Sequence, residues 1–441
     1  MRMSLLAVGC LALSLAFWSS QSQAAPMEKL PEGAKIASLE VYPSEIALAG
    51  KYAYAQVLVT AQLENGEKID VTRAVEPAVS QDLVVVSPTG VVRPKTDGEG
   101  QITFAVADKS IAVPLKVTAA TADYTASFVR DVMPAMSKMG CNAGTCHGSL
   151  NGKNGFKLSL RGYDSVFDHR ALTDDVAARR INRAAPDQSM MLLKPSGVIP
   201  HVGGVVTQPE QPYYELIRSW IGGGLKLDSD SPRVSKIEIF PKNPIVPMPG
   251  MTQQMKVLAT YSDGAVRDVT LEAFVDSGNT EVAETNKLAL VSVIRRGEAP
   301  VLARFEGSYT ATTITVMGDR NGYEWKDVPA NNFVDDAVYN KLKRVKSLPS
   351  ELCTDAEFVR RISLDLTGLP PTAEAVRSFL ADTRDTKVKR DEMIDRLVGG
   401  GDYVEMWTNK WADLLQVNSK FLGADGARAF RDWIRAQVAA N

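Results

Sequence analysis

Short runs along residues 34–118 alternate apolar and polar positions. Leu39 and Val41 are interleaved with polar neighbours, Val57 and Val59 likewise, and further apolar runs follow at 83–86, 102–106 and 111–117. Successive side chains of a strand face opposite ways, so a period of two predicts half-buried β-strands. Residues 232–317 show the same pattern at Ile237 and Ile239, at Met255 and Val257, and again at 301–305 and 310–316. Asn65-Gly66 and Asp263-Gly264 stand between such runs and predict hairpins. Between and after these two stretches the period changes to that of a helix. Phe128, Val129, Val132, Met133, Met136 and Met139 share one side of a helix that Pro134 should kink or break. Tyr213, Leu216, Ile217, Trp220 and Ile221 form a second stripe, ended by Gly222-Gly223-Gly224. Residues 333–441 read as helical throughout. Thr354-Asp355-Ala356-Glu357 is a capping box ahead of Phe358, Val359, Ile362 and Leu366, and Tyr403, Trp407, Trp411, Leu414 and Leu415 follow at helical spacing.

The two β stretches are copies of one module. Residues 36–43, IASLEVYP, return as VSKIEIFP at 234–241, and Asp70-Val71-Thr72 returns as Asp268-Val269-Thr270, each 198 residues on. A constant offset across separate motifs means one unit used twice with an insertion between. About seven short strands in ~85 residues suit an immunoglobulin-like sandwich. The expected organisation is therefore two all-β immunoglobulin-like sandwiches (34–118 and 232–317) flanking an all-α segment (119–230), then a linker (318–332) and an all-α C-terminal domain (333–441). The middle segment is expected to protrude between the sandwiches, each of which has its own alternating core.

Met1-Arg2, an apolar core over residues 5–18 and Ser22-Gln23-Ala24 read as a cleaved signal peptide over residues 1–24. The mature chain is expected outside the cytoplasm, in the periplasm or at the cell surface, and no later run is long enough to span a bilayer. The chain of 441 residues is 45% hydrophobic and 23% charged with net charge −2, a balance that excludes nucleic acid as an evident partner. Cleavage leaves Cys141, Cys146 and Cys353, too sparse a set for a disulfide scaffold.

Candidate chemistry sits at Cys141-Asn142-Ala143-Gly144-Thr145-Cys146-His147. Two thiols followed by an imidazole are what attach and ligate a c-type haem, although the usual spacing has two intervening residues and this one has four. The alternatives are a short Cys141–Cys146 disulfide and a bare metal site. A covalently attached haem c would take Cys141, Cys146 and His147, with His147 on the iron. The sixth ligand would be His201, with Met190 or Met191 as alternatives or an open position, while His169, flanked by Asp168 and Arg170, reads as a solvated surface residue. Nothing supports a catalytic trio among three histidines, the glycine runs read as helix ends, and Trp407 and Trp411 read as core.

The sandwich pattern, with an opening strand ending in Pro, a central Asn/Asp-Gly and Asp-Val-Thr, resembles bacterial group 2 immunoglobulin-like domains. The stretch from Gly140 to Gly148, together with Gly152 to Asp164, Leu192-Leu193-Lys194-Pro195 and Pro200-His201, resembles large exported planctomycete proteins that join such modules to a cytochrome-C-like segment. Residues 358–372, FVRRISLDLTGLPPT, are similar to the signature of the helical domain associated with that cytochrome. The resemblance implies a cytochrome c-like fold for residues 119–230, and the missing cap after the last helix suggests a truncated chain. Two functions follow as expectations: an exported haem-binding electron carrier with an unknown redox partner protein, or a non-haem surface structural or adhesion protein with a Cys141–Cys146 disulfide, a component of the cell surface.

Overall fold

The computed structural model describes residues 28–440; the expected signal peptide lies outside them. The first copy runs through β1 (Ile36–Tyr42), β2 (Ile46–Ala49), β3 (Ala55–Gln56), β4 (Leu58–Leu63), β5 (Lys68–Asp70), β6 (Glu76–Val79), β7 (Val84–Val86), β8 (Val91–Pro94), β9 (Gly98–Val106) and β10 (Lys109–Thr118). The second runs through β11 (Val234–Phe240), β12 (Ile245–Val246), β13 (Thr252–Gln254), β14 (Lys256–Tyr261), β15 (Val266–Asp268), β16 (Phe274–Ser277), β17 (Ala283–Thr285), β18 (Leu290–Val293), β19 (Gly297–Phe305) and β20 (Ser308–Val316).

Sheet order is the same in both. The first copy has β1-β4-β5, β2-β10-β9-β6 and β3-β8-β7, and the second has β11-β14-β15, β12-β20-β19-β16 and β13-β18-β17. These are β-sandwiches, each around its own apolar core: Val57, Val59, Ile102, Phe104 and Val113 in one, Ile239, Val257, Val291, Val301 and Ile314 in the other. The alternation did what a period of two requires, as along β10, where Val113, Leu115 and Val117 face the core and their neighbours face out. The β4–β5 and β14–β15 connections turn at Gly66 and Gly264, both at φ +83, a conformation that glycine alone enters freely. The offset is 198 residues from Ile36 and Val234 to Glu76 and Phe274, and 199 from Gly98 and Gly297 onward. The second copy thus carries one extra residue between β16 and β17.

The middle segment is built from short helical pieces: a π-helical turn at Phe128–Val132, then α1 (Met133–Lys138), α2 (Ser165–Thr173), α3 (Asp175–Ala178), α4 (Met190–Leu193) and α5 (Pro212–Gly222). Pro134 does not break the stripe. It falls in the first turn of α1, where a missing N–H costs nothing, and the stripe continues from the π-turn into α1. Phe128, Val132, Met136, Ile217, Trp220 and Ile221 close into one core. This segment does not protrude: residues up to Glu324 form one compact unit in which it is bonded to both sandwiches.

Residues from Trp325 onward form a second, all-α unit. It contains α6 (Phe333–Arg344), α7 (Asp355–Thr367), α8 (Ala373–Ala381), α9 (Thr386–Leu397), α10 (Gly401–Leu414) and α11 (Ser419–Ala440), the last kinked at Gly423. The predicted capping box is present: Glu357 N–H donates to Thr354, and the Glu357 carboxylate accepts from the Thr354 N–H. Its core is small, with Val359, Phe379 and Met393 buried together. Among the described residues no helix is long and apolar enough to cross a membrane.

Candidate functional site

The Cys141–His147 loop follows α1 directly and is folded tightly on itself. Cys141 N–H donates to the Met136 carbonyl at 2.9 Å, His147 N–H to the Cys141 carbonyl at 3.0 Å, and Gly148 N–H to the Ala143 carbonyl at 3.1 Å. A Cβ on Gly148 would lie 2.0 Å from the Asn142 carbonyl oxygen, so only glycine allows this closure. The His147 Nδ1 meets the Phe156 carbonyl at 3.0 Å, and its ring packs on the Phe156 ring with centroids 4.5 Å apart. The Arg180 guanidinium lies 4.2 Å from the same ring. Burial first, then the nearby charges of His201, Arg180 and Lys194, hold the His147 imidazole below its ordinary pKa.

Cys141 packs against the core of the segment. Burial, with some help from Cys146, pushes its thiol up to about 12, so it behaves as a small hydrophobe. Both thiols, and that of Cys353, are unbonded in the structure. His201 folds back over its own loop, with Nδ1 2.8 Å from the Gly204 carbonyl and the ring so close to Gly203 that a Cβ there would lie 2.7 Å from it. Met190 and Met191 open the four-residue α4, and Met191 packs against the segment's core.

Two expectations about neighbours fail for a clear reason. His169 is no solvated residue: Nε2 sits 2.7 Å from the Leu225 carbonyl and the ring meets Phe128 and Trp220 edge-on at 5.1 and 5.9 Å. Its charged neighbour Asp168 is fully buried, accepting from the Ser159 N–H at 2.5 Å and the Ser159 hydroxyl at 2.7 Å, and burial raises its carboxyl to about 6. Flanking charges suggested solvent, but here one of them is itself a core acceptor. Trp411, expected in the core, is 49% exposed, with Trp433 beside it at 57%. These two indoles, with Tyr403, Trp407 and Leu415, line an apolar groove of about 410 Å³.

The polar residues that organise the first unit escaped the sequence reading. Tyr54 donates to Glu272 at 2.5 Å and accepts from the Leu271 N–H at 2.9 Å, while Tyr213 of α5 donates to the Leu271 carbonyl at 3.2 Å. Lys138 of α1 donates to the Ala273 carbonyl at 2.6 Å, and Arg267 pairs with buried Asp131 at 3.2 Å. Burial raises the Glu272 carboxyl, against the lowering effect of the Tyr54 hydroxyl. Residues 271–273 thus tie both sandwiches and the middle segment together. The signal available in sequence was faint, since single tyrosines and acids in loops are common.

Residues 333–441 match the PSCyt2 family, described as a protein of unknown function (DUF1549). No curated protein matches the chain. Among solved structures, domains 5–6 of the S-layer protein SbsC are similar over 65% of this chain and 99% of theirs, at 11% identity and a TM-score of 0.26. Domains 4–9 of the same surface-layer protein align over 67% of this chain and 34% of theirs, at 11% identity and TM-score 0.26. Extracellular domains 3–5 of Drosophila OTK align over 64% and 63%, at 8% identity and TM-score 0.14.

These findings overturn the reading of the chain as an exported cytochrome c-type electron carrier. The family match lies outside the cysteine loop and carries no described function. Among the described residues no group of three or more His, Cys, Asp or Glu side chains could hold a metal ion. The physical reason for the misreading is that thiols and imidazoles also serve packing. Cys141 packs, partly buried, against the segment's core, and the face and Nδ1 of the His147 ring are both engaged by Phe156.

Proposed function

We propose that this chain is an exported structural protein of the cell surface, in which two immunoglobulin-like sandwiches and the middle segment form a rigid spacer. The observation that carries this reading is the three-way joint at residues 271–273, where hydrogen bonds with Tyr54, Lys138 and Tyr213 hold all three parts together. Domains joined by flexible linkers share few such contacts. In the oxidising environment outside the cytoplasm, Cys141 and Cys146 close a disulfide, each thiol giving up one proton and one electron to the compartment's oxidant.

The test is to express the full chain with its own leader and fractionate the cells. The envelope fraction should contain the protein, degradable by protease added to intact cells. Under denaturing conditions without reductant, alkylation should label Cys353 alone, and after reduction Cys141 and Cys146 as well. Retention in the cytoplasm, or an intact mass carrying a covalently attached tetrapyrrole, would overturn the proposal.

A further inference from the structure

The two sandwiches meet through equivalent residues. Gln254 N–H donates to the Asp70 carboxylate, and Gln56 N–H donates to the Asp268 carboxylate at 2.7 Å. Gln56 corresponds to Gln254 and Asp70 to Asp268, both 198 residues apart in the repeat. Each contact is therefore the other with the copies exchanged. Tyr42 and Phe240, also equivalent, pack ring against ring with centroids 4.9 Å apart and planes tilted by 35°. The hydroxyls at the equivalent positions 54 and 252 both reach a carboxylate across the junction, Tyr54 to Glu272 and Thr252 to Glu28 at 2.8 Å. Reciprocal contacts, with a residue facing its own equivalent, are the mark of an isologous interface around a two-fold axis. A head-to-tail contact between unlike faces has no reason to produce either.

We infer that the face bearing Gln56 and Asp70 in one copy, and Gln254 and Asp268 in the other, is a self-recognition surface: the module pairs with a second copy of itself, and this chain is a fused dimer. The inference rests on the repeat and its contacts, independently of the proposed location and role.

One pair of positions breaks the symmetry. Lys256 is buried, with Nζ 2.8 Å from Asp268 and 2.7 Å from the Gln56 carbonyl across the interface. Its equivalent in the first copy is Leu58, 5% exposed, so among the described residues no cation pairs with Asp70. A two-fold interface has room for the lysine on either side. If the face is self-complementary, a lysine introduced at position 58 would find Asp70 and the Gln254 carbonyl where Lys256 finds Asp268 and the Gln56 carbonyl.

The experiment transposes the lysine in the full chain, as Leu58→Lys with Lys256→Leu, and reads the melting midpoint of the β-rich unit. The transposed variant is expected within about 2 °C of the parent. Adding Asp70→Asn, which removes the new lysine's counter-charge, should then lower the midpoint by more than about 5 °C. A transposed protein that is unfolded or melts well below the parent overturns the inference. So does one that is indifferent to Asp70→Asn, because its lysine would then have found another place.

Discussion

Asp70 is a carboxylate in the wrong electrostatic company, and its cost can be worked out. Burial raises its carboxyl from 3.8 to about 6 despite hydrogen bonds from Gln254 and Thr72, and neighbouring Glu28 adds to the rise. A pKa raised on folding means that the folded state holds the proton more tightly. Its stabilising contribution is therefore complete below about pH 3.8 and is lost as pH rises through 6. Two pKa units correspond to about 3 kcal/mol in full, of which about two-thirds falls between pH 4.5 and 8. Asp70→Asn fixes this side chain in a neutral form. The difference in unfolding free energy between variant and parent should thus shift in favour of the variant by about 2 kcal/mol from pH 4.5 to pH 8. Other raised carboxyls, Asp168 at about 6 and Glu306 at about 7, act in the same direction, but they are present in both proteins and cancel in the difference. Urea unfolding followed by hydrogen–deuterium exchange of peptides from β4 and β14 would isolate this unit from the C-terminal helices. A difference that stays constant across that pH range to within about 0.5 kcal/mol would refute the reasoning.

Tyr54→Phe removes the donor to Glu272 and the acceptor for the Leu271 N–H, so it should cost the first unit about 1–3 kcal/mol in urea unfolding, while the melting of the helical unit stays unchanged. Gly148→Ala forces a Cβ onto the Asn142 carbonyl; it should loosen the cysteine loop and speed alkylation of reduced Cys141 by about tenfold or more, measured by mass spectrometry against Cys353 as internal reference. An unchanged labelling rate would show that the loop has another way to close.

Much of the architecture was legible because it follows from periodicity. Val113, Leu115 and Val117 recur at every second position, with exposed Pro114 and Lys116 between them, and so give a strand with one buried face. The repeat located both modules, and Thr354 with Glu357 marked the start of α7. The cysteine loop was found as a feature but misread as the haem site of an electron carrier. A short motif records which residues are present and not what they meet: Cys141 packs against the segment's core and His147 against Phe156. His169 was misplaced because flanking charge in sequence usually means solvent, whereas its neighbour Asp168 is satisfied in the interior by Ser159.

By itself, then, the sequence determined strands, helices, hairpins and the duplication, since these depend on side-chain period and local backbone preference within a few residues. Tertiary structure alone decided that Asp70 meets Gln254, that Asp268 meets Gln56, and that Tyr54, Lys138 and Tyr213 converge on residues 271–273. Those partners lie 58 to 218 residues apart along the chain. No local pattern encodes such a pairing, because it exists only once two separately formed faces have been brought together and water has left the space between them.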